Sequence, residues 1–345
     1  MLFLIALFSL LTTLSLECLA ESGDDPRAVG VVLPLSGALH EYGEPVKNGI
    51  LFAQSTFETP PVRFIFEDSM SDTKGAISAY EKLVKTGVEA VIVWGTTASE
   101  GVAPVAMQRG VPIFSISISP AVSKGRPLVT RTSPDATILV VPVVKEIQRI
   151  APKSLTLITA EWSFTIEQSR ALRAAFPENF IEEHLVARSE LDFRGLILKL
   201  KTQKTELIGV LLGPGQLGEF YRQMRDLRVE IPTFSTSILD SKVERAKAGS
   251  SAEGVFYADY DVCPKFRESF LQFDGSGQYL SYAVNAFDIA RLLLTGAEAT
   301  RGKEALYDFV KNKREFQGVC GSVTFRDGEA SGRYFDYPVS LQVVQ

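Results

Sequence analysis

GVLLGPGQLGEFYRQM, residues 209–224, is an apolar run, a glycine-rich break and a helix-like segment in direct succession. Val210 to Leu212 form the run and Gly213-Pro214-Gly215-Gln216-Leu217-Gly218 the break. The spacing is G-x-G-x-x-G between a strand and a helix, the pattern of a dinucleotide-binding turn. Asp240 follows about twenty residues later, where a ribose-binding acid would stand. Pro214 opposes that reading, because it has no N–H to give a phosphate. What glycine permits here in any case is a tight turn and a close backbone approach to a ligand.

Working outward, the same alternation recurs along the chain. AVGVVLPL (28–35) reads as a buried strand, and Pro45 opens a helix with Val46, Ile50, Ala53 and Phe57 on one face. VRFIFED (62–68), VEAVIVW (88–94) and VPIFSIS (111–117) are further strands, separated by helices at 73–86 and 100–109. The pattern restarts with a helix near 138–150 and strands at 154–159, 182–188, 207–212 and 232–236, with helices at 165–176, 193–202 and 216–227 between them. Alternating strands and helices predict parallel sheets covered by helices on both faces. The unit repeats too often for one open sheet, which predicts two Rossmann-like lobes. No low-complexity linker separates them, so strands are expected to cross between the lobes and make a hinged pair.

The chain has 345 residues, 46% apolar and 22% charged, enough for two globular domains. MLFLIALFSLLTTLSLECLA (1–20) is apolar to Leu11, is then diluted by Thr12, Thr13 and Ser15, and ends in small residues. It is too short and too polar at its end for a membrane anchor, and is expected to be a signal peptide cleaved after Ala20. Cys18 as a lipidated cysteine is the other reading, though Glu17 fits it poorly. Without residues 1–20 the chain carries 36 Lys and Arg against 40 Asp and Glu, a net charge of −4. No basic stripe is present, which excludes nucleic acid as a partner. Cys263 and Cys320 remain; in an exported chain they form a disulfide, or stay as two buried thiols.

In open parallel sheets, ligands bind beyond the carboxyl ends of the strands. The loops there are rich in hydroxyls. In WGTTASEG (94–101), Ser99 is placed at a helix start, where it caps the helix or joins the amides of Glu100 and Gly101 in holding an anion. FSISISP (114–120) sets Ser115, Ser117 and Ser119 on one side of an extended segment, with Ser119 and the Ile118 backbone facing the same cleft as Ser99. Tyr42, in a turn before a helix, stacks on a ligand or covers the end of the core. No catalytic set emerges. His40 and His184 have no metal-ligand partners at the required spacing, no Gly-x-Ser-x-Gly elbow is present, and Asp68 and Asp72 suit turn and capping roles. No cofactor is expected, and the chain is read as not an enzyme.

VGVVLPLSGALHEYGEPVKNGILFA (29–53) resembles the opening of the type I periplasmic solute-binding proteins of ABC transporters, the branched-chain amino acid binders above all. DTKGAISAYEKLVKTGVEAVIVWGTTAS (72–99), LDFRGLILKLKTQKTELIGVLLGPGQLGEFYRQMRDL (191–227), YAVNAFDIARLLL (282–294) and FQGVCGSVTFRDG (316–328) continue the likeness over nearly the whole mature chain. The resemblance implies a clamshell of two lobes joined by a three-strand hinge. One lobe would comprise 27–138 plus 259–325 and the other 139–258 plus 326–345. It implies a periplasmic monomer that closes on a small ligand and docks on a membrane permease. The ligand carboxylate would meet Ser99, with Thr97, Ile118, Ser119 and Tyr42 around it. The second lobe departs from the pattern. Its aromatic position falls at Gly213 or Pro214, and its acid position near Ser237, with Asp240 three residues on. A buried ammonium without an anion is costly. Either Asp240 or Glu161 substitutes, or the ligand is not an α-amino acid; Trp162 and Phe164 would supply the aromatic wall. Rival expectations are a protein-binding activator of cell-wall synthases or a ligand sensor on the same fold, and an exported dehydrogenase resting on Gly213–Gly218 and Asp240.

Overall fold

A computed structural model describes residues 26–178, 180–300, 304–328 and 332–345. The expected signal segment, with Cys18, lies outside the described residues. The first lobe begins with β1 (Arg27–Leu33), α1 (His40–Ser55), β2 (Val62–Asp68), α2 (Thr73–Lys85), β3 (Ala90–Trp94), α3 (Thr96–Arg109), β4 (Ile113–Ile116), α4 (Pro120–Ser123) and β5 (Val129–Arg131). The chain then builds the second lobe from α5 (Ala136–Leu139), α6 (Val141–Ile150), β6 (Leu155–Ala160), α7 (Ser163–Ala174), β7 (Ile181–Val186), α8 (Arg194–Gln203), β8 (Leu207–Leu211), α9 (Leu217–Asp226), β9 (Thr233–Phe234), α10 (Lys242–Ala248) and β10 (Phe256–Tyr260). It returns through α11 (Pro264–Asp274), α12 (Leu280–Thr300), α13 (Leu306–Lys311), β11 (Glu315–Gly318), β12 (Gly321–Gly328) and β13 (Gly332–Asp336), and ends in β14 (Val339–Val343).

Two sheets result. The first runs β11-β12-β13-β5-β4-β3-β1-β2 and the second β14-β10-β9-β8-β6-β7. β1 to β5 pair in parallel, as do β6 to β10. β3 (AVIVW) and β6 (LTLITA) are buried at every position, as strands covered on both faces must be. The α1, α11 and α12 helices close one face with an aromatic cluster in which Phe52 meets Phe287 at 5.2 Å and Phe266 and Phe270 at 6.0 Å. Each such ring buried contributes about 1.5–3 kcal/mol.

The chain passes between the sheets three times, after β5, after β10 and between β13 and β14. The third crossing falls at Tyr337-Pro338, so residues 326–328 and 332–336 belong with the first sheet and not, as expected, with the second. The cause is the β12–β13 hairpin, which turns the chain back so that Arg333 pairs with Thr130 of β5. Two helix starts also differ from expectation. α1 begins five residues before Pro45, which puts Tyr42 on its first turn, not in a preceding loop. α3 begins at Thr96, because Gly95 at φ +96° turns the chain straight from β3 into the helix. Cys263 and Cys320 are joined in a disulfide, Cα to Cα 5.2 Å, tying the start of α11 to the β11–β12 turn.

Candidate functional site

The glycine-rich turn that opens α9 has its amides already occupied. The Glu244 carboxylate, almost wholly buried, accepts the Gly215 N–H at 2.5 Å and the Gly218 N–H at 2.6 Å. Gly213 N–H donates to Gln216 Oε1 at 3.2 Å. An internal carboxylate from α10 thus sits where a phosphate would have to sit at the start of a helix. The dinucleotide pattern is satisfied within the protein.

Gly213 itself serves a neighbour. A Cβ there would lie 2.1 Å from Trp162 Nε1, so only glycine leaves the indole room. Trp162, just before α7, also carries the Arg188 guanidinium over its ring, 4.5 Å from the ring centre. The aromatic side chain that residues 213–214 lack is therefore replaced from the next loop, by a tryptophan that needs the glycine.

Trp162 forms one wall of a cleft between the lobes of about 1010 Å³, counting the space that opens to solvent. Of the residues expected from sequence, Tyr42, Thr97, Ile118, Trp162, Phe164 and Ser237 line it. The strand ends place them: Trp94 and Ile116 pair at the carboxyl edge of β3 and β4, and the first turn of α3 follows directly. Gly95, Thr96, Thr97 and Ala98 all face the cleft. The free amides of a helix start belong to its first residues, so those that α3 can present to the cleft are at 96–98, not at Glu100 and Gly101.

Five expected residues stand elsewhere. Ser99 is fully buried inside α3; its N–H donates to Gly95 O at 2.9 Å, and its hydroxyl accepts from Ser115 Oγ at 2.7 Å. Ser119 is also fully buried, because the chain leaves β4 after Ile116 and turns, so that the serines no longer alternate on one side. Its N–H donates to Ser117 Oγ at 3.2 Å, while Ser117 and Ile118 take the cleft wall. Gly213 lies beneath Trp162. Asp240 turns away, accepting from Tyr257 OH at 2.5 Å and pairing with Arg245 at 3.3 Å. Glu161 is exposed.

The cleft wall also holds residues that were not anticipated, Trp94, Tyr282 and Asp259 among them. Tyr282 of α12 meets Trp94 edge-on at 5.6 Å, and Tyr42 stacks on the other part of the same group, 5.4 Å from Trp94. Asp259, near the carboxyl end of β10, is 7% exposed and faces the cleft. Burial, and next the nearby Asp240, push its carboxyl up to about 8. The sequence signal was available: VFYAD (255–259) is an apolar run ending in an acid, the same strand-end position inspected elsewhere.

The lobes touch at both margins of the cleft. Thr97 Oγ1 donates to Ser163 Oγ at 3.2 Å, and Ser163 donates to Glu100 at 2.8 Å. Ser241 Oγ donates to Glu41 at 2.9 Å.

Two α/β lobes, three crossings and a cleft walled by strand ends define a type I periplasmic binding protein. The chain belongs to the periplasmic binding protein family, whose model matches residues 26–340. It is 21% identical over 332 residues to a Leu/Ile/Val-binding protein homologue of Brucella melitensis, covering 89% of each chain. Its fold matches a leucine-binding protein of Thermotoga maritima with a TM-score of 0.82 at 19% identity, over 92% of this chain and 95% of that one. A solute-binding protein of an ABC transporter from R. palustris, solved with 4-hydroxybenzoate, matches at 0.80 and 21% identity, over 93% of each.

Proposed function

We propose that this protein is an extracytoplasmic solute-binding protein that closes on a small ligand, an amino acid, amide or related carboxylate, and delivers it to the permease of an ABC transporter. No bond is made or broken. The observation that carries the reading is the cleft between the lobes, with helix α3 opening into it on one side and aromatic rings from both lobes around it. Tyr42, Thr97, Ile118, Trp162, Phe164 and Ser237 would touch the ligand, and Ser99, Ser119 and Gly213 would hold those residues from behind. The hydroxyls and free amides suit a carboxylate or carbonyl; the rings suit an apolar body. The disulfide favours an oxidising compartment, in line with an exported monomer.

Thermal denaturation of residues 21–345 with branched-chain, aromatic and acidic amino acids, short amides, urea, aromatic carboxylates and NAD(H) tests this. A ligand at 100 times its Kd adds about 2.7 kcal/mol of stability, and one class is expected to do so. A shift with NAD(H) alone, or with none of the panel, would count against the proposal.

A further inference from the structure

The ligand class follows from one acid, on the footing that the cleft binds a solute. Among the described residues that line the cleft there is no Lys, Arg or His; the charged ones are Asp72 and Asp259. Asp72 is committed, since its Oδ1 caps α2 by accepting the Gly75 N–H at 2.6 Å. Asp259 accepts the N–H of Tyr260 at 2.8 Å and has the Ser281 hydroxyl beside it, but burial outweighs both. The groups facing it are Asp240, Asp261 and the phenols of Tyr257, Tyr260 and Tyr282, all three held protonated by burial. A carboxylate with no cation against it is costly in such a place, so burial keeps the group neutral. Other groups of the cleft wall are also unsatisfied, the indole N–H of Trp94 and of Trp162 and the Ser133 hydroxyl. Trp94 Nε1 is buried without a hydrogen-bond partner, and an indole N–H can only donate. Trp94, Tyr282 and Tyr42 form a continuous aromatic surface in the same wall.

We infer that the ligand carries a cationic nitrogen that seats against Asp259 beside the aromatic wall, and an oxygen acceptor for the Trp94 indole. Ring faces attract such a cation as well. Capture then releases a proton: the Asp259 carboxyl gives its H⁺ to buffer, and the carboxylate left behind pairs with the ligand nitrogen, which keeps its own charge. The acid that answers the ligand lies on the strand leading out of the second lobe, neither at Ser237 nor at Asp240.

Isothermal titration at pH 7 in phosphate and in Tris, whose ionisation enthalpies differ, reads the proton directly. The probes are matched pairs: L-leucine with 4-methylpentanoate, L-phenylalanine with 3-phenylpropanoate, together with phenethylamine and agmatine. At least one ammonium probe is expected to bind at least about tenfold more tightly than its partner without nitrogen. With a carboxyl that titrates near 8, it should release about 0.9 proton per site at pH 7, and its Kd should tighten about tenfold from pH 6 to pH 7. Asp259→Asn, which copies the neutral acid, should keep the fold and lose both the preference and the release. Binding of a carboxylate as tight as that of its amino acid partner would overturn the inference while leaving solute binding intact. Ammonium binding without proton release would overturn it too. Failure of every ammonium probe would do the same, and the thermal panel then decides whether solute binding itself stands.

Discussion

Trp162 and Gly213 are one feature: the indole fills the space that any Cβ at 213 would enter, 2.1 Å from Nε1. Gly213→Ala should therefore push the ring out of the cleft wall. The expected loss is about 1–3 kcal/mol in urea denaturation, as for other overpacked sites. Near-UV circular dichroism should change with it, because Trp162 is one of only two tryptophans and both line the cleft. A variant of unchanged stability and spectrum would show that the ring is not held there.

Glu244 gives the glycine turn its anion. Glu244→Gln leaves an amide whose NH₂ cannot accept, so either Gly215 or Gly218 loses its partner in a buried setting. Hydrogen bonds to a charged group of this kind are worth about 1.5–3 kcal/mol, and the variant should lose that much. The wild-type protein should show no thermal shift with NAD(H), because the place of the phosphate is taken. A clear NAD(H) shift would contradict the assignment of that turn.

The order of strands and helices was legible because buried strands and amphipathic helices differ in period, and β2 lies at the residues expected, 62–68. What was not legible depended on single backbone choices. TTAS (96–99) reads as a polar loop, and nothing local says that Gly95 takes a positive φ and starts the helix three residues before Ser99. That shift moves Ser99 from the first turn's edge into the interior. Pro45 suggested a helix start, yet α1 had begun at His40, so Tyr42 became part of a helix wall. Asp259 was readable by the strand-end rule but lay in a strand outside the alternating series. The replacement of an aromatic at 213–214 by Trp162 was half legible. The tryptophan could be seen, but its need for Gly213 required the packing.

Thr97 and Ser99 separate contact from support. Ser99→Ala removes one buried hydrogen bond, to Ser115, and should lower stability by about 0.5–1.5 kcal/mol. Ligand Kd should change little, because Ser99 does not face the cleft. Thr97→Ala removes a hydroxyl that faces the cleft and reaches Ser163 of the other lobe. Its Kd for the ligand returned by the thermal screen should rise roughly fivefold, the worth of about 1 kcal/mol. The reverse ranking, from titrations of both variants, would restore Ser99 as the direct contact.

The Cys263–Cys320 bridge closes a loop across 57 residues of sequence, away from the cleft. Replacing both cysteines by serine should cost about 2–4 kcal/mol, chiefly by freeing the unfolded chain. Ligand affinity at a temperature where the variant is folded should match the wild type. A large loss of affinity with normal stability would mean that the bridge shapes the cleft.

Stability of the ligand-free protein should fall as pH rises through neutrality. Burial pushes Asp288 up to about 6 and Asp259 up to about 8, against an ordinary aspartate value of 3.8. Between those limits the folded state holds more protons than the unfolded one, so each group weakens the fold as pH increases. The slope is at most about 1.4 kcal/mol per pH unit for each group. The share from Asp288 is complete by just above pH 6, and that from Asp259 continues to just above pH 8. Groups shifted the other way, such as Glu219, held down to about 2 by Arg222, act only in acid and leave this window alone. Asp259→Asn removes the titration without removing the shape. The variant should equal or exceed the wild type at pH 8, lose that advantage towards pH 5, and show a flatter profile from 6 to 8. Urea denaturation across pH 5–8 measures both curves. Parallel curves would mean that Asp259 ionises in the empty cleft like an ordinary carboxylate.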